Sequence, residues 1–348
     1  MAADMQDMKQ LISKVVGGGV LTTQEAETAF DIIMSGDATP SQMGGFLTAL
    51  RMRGESVSEI TGAAKTMRAK AKRIKAPANA MDIVGTGGDK LGTYNVSTAA
   101  ALVVAAAGVP VAKHGNRAAS SKSGTADALS QLGVDLDCPF ANIERSVVEA
   151  GIGFMTAPRH HGAIRNVMPT RMELGIPTIF NILGPLSNPA LVTRYLIGCF
   201  RAEFIEKMAE TLGDLGAERA WVVHGHSGMD EISTTGPTRV AALEGGKVTC
   251  FEITPEDAGL PRASLSELLG GTPEQNAAAI TALLDGATSA YRDIVLFNAG
   301  AALMIADKVA SLRDGVALAA ETIDSGKAKT VLAGLVRVTN DYPKETVE

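Results

Sequence analysis

The stretch DIVGTGGDKLGTYNVST, Asp82 to Thr98, constrains the fold more than any other in the chain. Met81 to Val84 reads as a short strand, Gly85 to Asp89 as a turn, and Ser97 to Ala107 as a helix that Gly108 breaks. Val109 to Ala112 reads as a second strand. Strand, helix and strand in that order make a crossover between parallel neighbours. Leu196 to Phe200, Ala220 to Val223 and Val248 to Ile253 are further strand candidates, with helical stretches between them. The sequence therefore predicts an α/β fold, with a mainly parallel central sheet and flanking helices.

The chain before Met81 carries helix signals and no strand pattern. Met8 to Val16 is amphipathic and stops at Gly17-Gly18-Gly19. Thr22 with Glu25, and Ser56 with Glu59, are spaced as capping boxes, and Pro40 suits a first helical turn. Residues 1–75 are expected to form a small all-helical domain, and residues 76–348 a larger α/β domain. Arg171 to Pro189 is neither clear helix nor strand, and part of 171–190 is expected to join the small domain. Pro273 to Lys308 and Ser311 to Leu335 read as helix again.

The formal net charge of −6 argues against a protein whose main task is to coat nucleic acid. Yet KHGNRAASSKSG, Lys113 to Gly124, packs three cations, four hydroxyl or amide side chains and two glycines into twelve positions. It begins where a strand ends, the usual ligand edge of an open α/β sheet. Lys113 and Arg117 are suited to phosphate oxygens, Ser120, Ser121 and Ser123 add donors, and Gly115 and Gly124 admit a ligand to the backbone. The same residues would serve a merely solvated loop. The glycine turn at 85–89 could also offer backbone N–H groups to an anion. It is no dinucleotide fingerprint, because Lys90 stands where glycine is needed, and it lacks the Gly-Lys-Ser/Thr ending of a P-loop. Asp89 within it suits sugar hydroxyls; the glycines alone would suit any tight turn.

HGHSGMDEIS, His224 to Ser233, carries adjacent carboxylates at Asp230 and Glu231, a donor set suited to Mg²⁺ or a solvated surface pair. His224 and His226 alone are too few for zinc. His160, His161, Arg165 and Arg171 lie close in sequence, and Arg171 could take a carboxylate or face solvent. No serine–histidine–acid order or activated cysteine is evident, so catalysis is expected to rest on positioning and charge stabilisation. Cys138, Cys199 and Cys250 suggest neither a disulfide framework nor a metal knuckle. The longest apolar run, 99–112, is short for a bilayer, and Asp4 and Asp7 stand where a signal peptide would be basic then apolar. A cytoplasmic protein without membrane partners is expected.

Together these stretches resemble one family, the anthranilate phosphoribosyltransferases of tryptophan biosynthesis. The resemblance is carried by GTGGD (85–89), NVST (95–98), KHGNR with SSKSG (113–124), the paired His160 and His161, R-x-ELG (171–175), TIFNILGPLSNP (178–189), Asp230-Glu231 and ITPEDAGL (253–260), in family order. It implies transfer of the phosphoribosyl group of phosphoribosyl pyrophosphate (PRPP) to the amine of anthranilate, with Mg²⁺, two ions per subunit. It implies a PRPP site at Gly85, Gly88, Asp89, Thr93, Asn95, Val96, Ser97, Thr98, Lys113, His114, Gly115, Asn116, Arg117, Ala118, Ala119, Ser120, Ser121 and Thr125. Ser97, Asp230 and Glu231 would handle the metal; Gly85, Asn116 and Arg171 would contact anthranilate, with His114, His160 and His161 near its route in. It also implies a homodimer through the helical domain, whose Leu11, Ile12, Val15, Phe30, Ile33, Phe46 and Leu50 look like more apolar surface than four helices bury alone. Gly162 departs from the proline common after the paired histidines, and Thr125 from a common serine. Two rivals share the fold: a pyrimidine nucleoside phosphorylase, whose glycine loop follows a lysine–histidine–serine run where Asp82-Ile-Val84 stands here, and a nucleic-acid-binding relative with a basic cleft.

Overall fold

The computed structural model describes residues 2–116 and 124–343. Four helices come first, Ala2–Val16, Thr23–Ser35, Pro40–Arg53 and Val57–Ala69. Both expected capping boxes form: the Thr22 and Ser56 hydroxyls accept from the Glu25 and Glu59 backbone N–H, and each glutamate accepts from its cap residue in return. A third forms at Thr39 and Gln42, with Pro40 in the first turn.

Seven strands follow: β1 Met81–Gly85, β2 Val111–Gly115, β3 Ile152–Thr156, β4 Arg194–Gly198, β5 Arg219–His224, β6 Thr238–Glu244 and β7 Lys247–Ile253. Their order in the sheet is β3-β2-β1-β4-β5-β6-β7. β3 to β5 pair in parallel, and β6 and β7 close one edge antiparallel. The chain winds outward from β1 to β3 and then returns to β4 on the other side of β1. That reversal opens a crevice at the carboxyl ends of the strands, where ligands of such sheets bind.

Both faces of the sheet are covered, and alternation along each strand sorts the side chains. Met81, Ile83, Leu196, Trp221 and Val223 join one core with helix Val96–Ala106 and the C-terminal helices Ala290–Ile305 and Leu312–Asp324. Val84, Tyr195, Ile197 and Val222 join a second core with the N-terminal helices and helix Ile205–Asp214. A sheet buried on both faces reads as short apolar runs, which is how β1, β4 and β5 were visible in the sequence.

Three expectations change. The second strand begins at Val111 and runs through Gly115, so Lys113 and His114 are strand residues paired with Phe154 and Met155 of β3. Their polar side chains had marked them as loop. β3 and β6 had no clear signal. Arg171 to Pro189 lies in two short helices, Met168–Leu174 and Phe180–Leu186, with Pro185 inside the second. These pack on the N-terminal helices: the Phe180 ring meets Phe30 edge-on at 5.7 Å, and Arg68 Nε donates to the Leu186 carbonyl at 2.8 Å.

The apolar residues read as a dimer surface are used within the chain itself. Leu11, Val15, Phe30, Ile33, Phe46 and Leu50 are all buried, because the sheet and helix Phe180–Leu186 complete the core the four helices begin. Among the described residues of the four helices, Val16, Val20 and Met52 are exposed apolar side chains, and Met168, Met172 and Ile176 are exposed on and just after helix Met168–Leu174.

Candidate active site

A cavity of about 630 Å³ opens at the carboxyl ends of β1 and β2, between the sheet and the helices that follow β3. The acid pair is brought there from β5. After His224 the chain turns back across the ends of β4 and β1 so closely that only glycine fits beneath it. A Cβ on Gly198 would overlap the Asp230 carbonyl oxygen, and one on Gly85 would lie 2.5 Å from Asp230 Oδ2. Gly87 N–H donates to Asp230 Oδ2 at 2.6 Å, and Ser97 N–H, in the first turn of helix Val96–Ala106, donates to Glu231 Oε1 at 3.1 Å. Burial, then the nearby Asp89 carboxylate, push Asp230 up to about 7. Burial and Asp230 push Glu231 up to about 8. Such a cluster is short of positive charge.

Lys113 supplies part of it. Its side chain is buried, and Nζ donates to the Ile83 carbonyl and, at 3.2 Å, to Ser97 Oγ. Burial lowers its pKa, while Asp82, Glu231 and Asp230 favour its cation. Asp82, inside β1, is pushed up to about 6 by burial despite Lys113. It accepts from His114 N–H at 3.1 Å and from Asn188 Nδ2 at 2.7 Å, and Asn188 also donates to the Ala112 carbonyl at 2.8 Å. The SNP end of TIFNILGPLSNP thus pins β1 to β2 beneath the cavity.

The opposite side of the cavity is cationic and apolar. Arg171 stands on helix Met168–Leu174 with its guanidinium 5.3 Å from the Phe180 ring centroid. It makes no ion pair among the described residues, and its one side-chain hydrogen bond there is to Met168 Sδ at 3.6 Å. Burial lowers its pKa, and a guanidinium stays charged at neutral pH. His114 Nδ1 lies 3.1 Å from the Gly184 carbonyl, which only accepts, so Nδ1 carries the proton. Its Nε2 and both ring nitrogens of His161 are buried, and the His114 Nε2 has no hydrogen-bond partner among the described residues. The two rings meet edge-on at 5.0 Å. Burial holds His114 well below the usual range and His161 down to about 4, so both are neutral at pH 7.

Of the residues singled out in the sequence, Gly85, Gly88, Asp89, Thr93, Asn95, Ser97, Lys113, His114, Gly115, Asn116, Gly124, Thr125, His161, Arg165, Arg171, Asp230 and Glu231 line this one cavity. Val96 and Thr98 sit behind it; Thr98 Oγ1 donates to Thr125 Oγ1 at 3.1 Å. His160 points away, with Nδ1 donating to the Lys72 carbonyl at 2.6 Å and its ring stacked on Phe140. Arg117, Ala118, Ala119, Ser120 and Ser121 lie outside the described residues. His224 is held by the Cys199 carbonyl at 2.8 Å. The wall also includes Tyr94, Phe180, Asn181 and Pro185, which sequence reasoning left without a role. Phe180 and Asn181 sit in a motif already marked as distinctive, and that was the available signal.

The donor set fits a magnesium ion. Two carboxylates whose pKa values are raised by burial and by neighbouring carboxylates, beside the Ser97 hydroxyl, would be relieved by a hard dication. Among the described residues no three His, Cys, Asp or Glu side chains group as a metal site by themselves. Mg²⁺ commonly uses one or two carboxylates and takes its remaining ligands from water and substrate phosphates.

The family described as "Glycosyl transferase family, helical bundle domain" matches residues 9–71, and "Glycosyl transferase family, a/b domain" matches 77–329. The anthranilate phosphoribosyltransferase of Parvibaculum lavamentivorans is 61% identical over 336 residues, covering 97% of this chain and 98% of that protein. The crystal structure of the enzyme of the same name from Thermus thermophilus superposes with a TM-score of 0.90 at 45% identity, covering 94% and 99%. That of Saccharomyces cerevisiae, in complex with PRPP and Mg, gives 0.87 at 28% identity, covering 96% and 98%; the same yeast enzyme is also solved with 4-fluoroanthranilate. The matches run through both domains and almost the whole of each relative, and on that ground the chain belongs to the anthranilate phosphoribosyltransferase family.

Proposed function

We propose that this protein transfers the phosphoribosyl group of PRPP to the amine of anthranilate, releasing N-(5′-phosphoribosyl)anthranilate and pyrophosphate in tryptophan biosynthesis. The observation that carries the reading is the division of one cavity into two ends. Asp230, Glu231 and Ser97 stand at the sheet, and Arg171, without an acidic partner among the described residues, stands at the helices. An arginine over an aromatic ring, with Met168 and Pro185 beside it, suits a flat aromatic carboxylate.

In this reading the PRPP site comprises Gly85, Gly88, Asp89, Thr93, Asn95 to Thr98, Lys113 to Ser121 and Thr125, with Thr125 keeping the hydroxyl of the more usual serine. Asp230, Glu231 and Ser97 would hold Mg²⁺, two ions per subunit, whose charge offsets that of the departing pyrophosphate. Arg171, with Gly85 and Asn116, orients anthranilate so that its amine nitrogen faces C1 of the sugar. The nitrogen forms a bond to C1 as the bond from C1 to the pyrophosphate oxygen breaks, and the nitrogen then gives up one proton. The amine is neutral at pH 7, so the step needs no base of the Ser-His kind, and holding the partners in line supplies much of the acceleration. Neutral His114 and His161 border the entry without adding a cation that would compete with Arg171 for the carboxylate.

The small domain in this account is 1–75 together with the two short helices of 168–186, and the remainder is the α/β domain. The protein is a cytoplasmic homodimer joined through the helical domain, with the exposed Val16, Val20 and Met52 available to the partner copy. No helix among the described residues is long and apolar enough to cross a membrane. The assay is direct: anthranilate fluorescence should decay when PRPP and Mg²⁺ are both present, and stay constant when either is omitted. Decay without PRPP, or none with both, would refute the activity.

A further inference from the structure

Asn298 sits in the middle of helix Ala290–Ile305, between Phe297 and Ala299, and all three are fully buried. Asparagine is a poor helix former, and burying its amide costs free energy unless the polar atoms find partners. An apolar residue would suit this place on packing grounds alone.

The partners are backbone groups. Asn298 Oδ1 accepts from the Ile232 N–H at 3.0 Å. Its Nδ2 donates to the Ile232 carbonyl at 2.8 Å and to the Ile294 carbonyl, one turn earlier in the same helix, at 2.9 Å. A backbone N–H only donates and a carbonyl only accepts, so three backbone groups agree on the orientation of this amide.

Ile232 directly follows the acid pair. Residues 229–237 form neither strand nor helix, so no ladder fixes their register. Asn298 gives Ile232 the two bonds that a paired strand would give it. The neighbouring backbone is held at contact. A Cβ on Gly198 would overlap the Asp230 carbonyl oxygen, and one on Gly225 would stand 2.4 Å from the Glu231 carbonyl oxygen. Ser233 N–H donates to Thr238 Oγ1 at 2.9 Å. Close contact limits movement but does not choose which residue meets the cavity. A grip on both polar groups of one residue does, because a slip of one position breaks both bonds. It would also part Asp230 from Gly87 N–H and Glu231 from Ser97 N–H.

We propose that Asn298 is a positioning residue for the acid pair: by holding Ile232 through both of its backbone groups, it fixes the register in which Asp230 and Glu231 reach the cavity, and with it the affinity for a divalent metal bound together with pyrophosphate. This rests on the reading that the acid pair holds the metal. Asn298 touches neither metal nor substrate, and it acts only through the segment it grips.

The test is calorimetry of the full chain with the preformed Mn²⁺–pyrophosphate complex, without anthranilate, so that binding is read apart from turnover. The variants are Asn298→Leu, which keeps the bulk and removes all three bonds, and Asn298→Ser, whose hydroxyl can replace one of them. The control is Asp230→Asn with Glu231→Gln, alone and combined with Asn298→Leu. Asn298→Leu should weaken binding about tenfold or more, and Asn298→Ser less. The KM for anthranilate should stay within about twofold of the parent, because Arg171 is held by other elements. In the background without the acids, Asn298→Leu should add nothing. If the control binds as the parent does, the acid pair does not hold the metal, and the positioning role falls with that reading. If the control weakens binding but both Asn298 variants bind as the parent does, the positioning role alone is overturned. A full additional loss in the background without the acids, or an equal rise in the KM for anthranilate, would show a general loosening and overturn it as well. Thermal melts check that each variant is folded at the temperature of measurement, and if Asn298→Leu is not, Asn298→Ser decides by the same criteria.

Discussion

Arg171 and Asp230 mark the two ends of the cavity, and single substitutions should separate them. Arg171→Ala removes the guanidinium assigned to the aromatic carboxylate. The KM for anthranilate should rise about ten- to a hundred-fold, with that for PRPP little changed. A rise in the PRPP constant alone would show that the aromatic acid has been put at the wrong end. Gly198→Ala forces a methyl against the Asp230 carbonyl, a backbone atom that no rotamer change can move away. Overpacking of this kind typically costs about 1–3 kcal/mol, so a lower urea midpoint and weaker use of Mg²⁺ are expected together. Unaltered stability and metal response would contradict the close crossing. Residues that stand out by their own chemistry were legible as cavity candidates in the sequence: Asp230, Glu231, Arg171 and Asp89 declared themselves by type and company, and all four line the cavity. Gly198 and Asn188 were not, because each acts on a neighbour brought alongside only by the fold. Lys113 was legible as a cation but misplaced, since a lysine buried inside a strand among three acids has no local signature.

Among the elements, the helix starts were the most readable. A capping box is a local interaction, complete within four residues, and those at Thr22 and Ser56 form as expected. Ser56→Ala should cost about 1 kcal/mol in denaturant unfolding and leave both KM values untouched. A change in either KM would mean that helix Val57–Ala69 bears on the cavity more directly than its packing indicates. Strands were less readable. β3 carries Gly153 in its interior, where a Cβ would stand 2.5 Å from Val147 Cγ2, so close helix packing selects a residue of low strand propensity. β2 was shortened for the opposite reason, two polar side chains on a buried strand. The two short helices of 168–186 owe their place to contacts with the N-terminal domain, which periodicity over seven residues cannot reveal.

For the whole molecule, two measurements bear on the account before any ligand is seen. Light scattering at micromolar concentration should give twice the chain mass; the monomer mass would remove the proposed dimer. The second is the pH dependence of Mg²⁺ use. Asp230 and Glu231 are raised acids, at about 7 and about 8, so near neutrality they hold protons that a metal must displace. Their affinity for the ion therefore rises with pH through that window. Below about pH 7, half-saturation by Mg²⁺ should worsen about tenfold per unit for each proton displaced. A half-saturation that stays flat from pH 6 to 8.5 would place the metal elsewhere. The most direct test of the central claim, one cavity with a metal–pyrophosphate end and an aromatic-acid end, is a crystal structure with Mn²⁺, PRPP and a non-reacting anthranilate analogue. The account predicts anomalous density beside Asp230, Glu231 and Ser97 and the analogue's carboxylate on Arg171; metal density away from the acid pair, or an analogue that leaves Arg171 uncontacted, would contradict it.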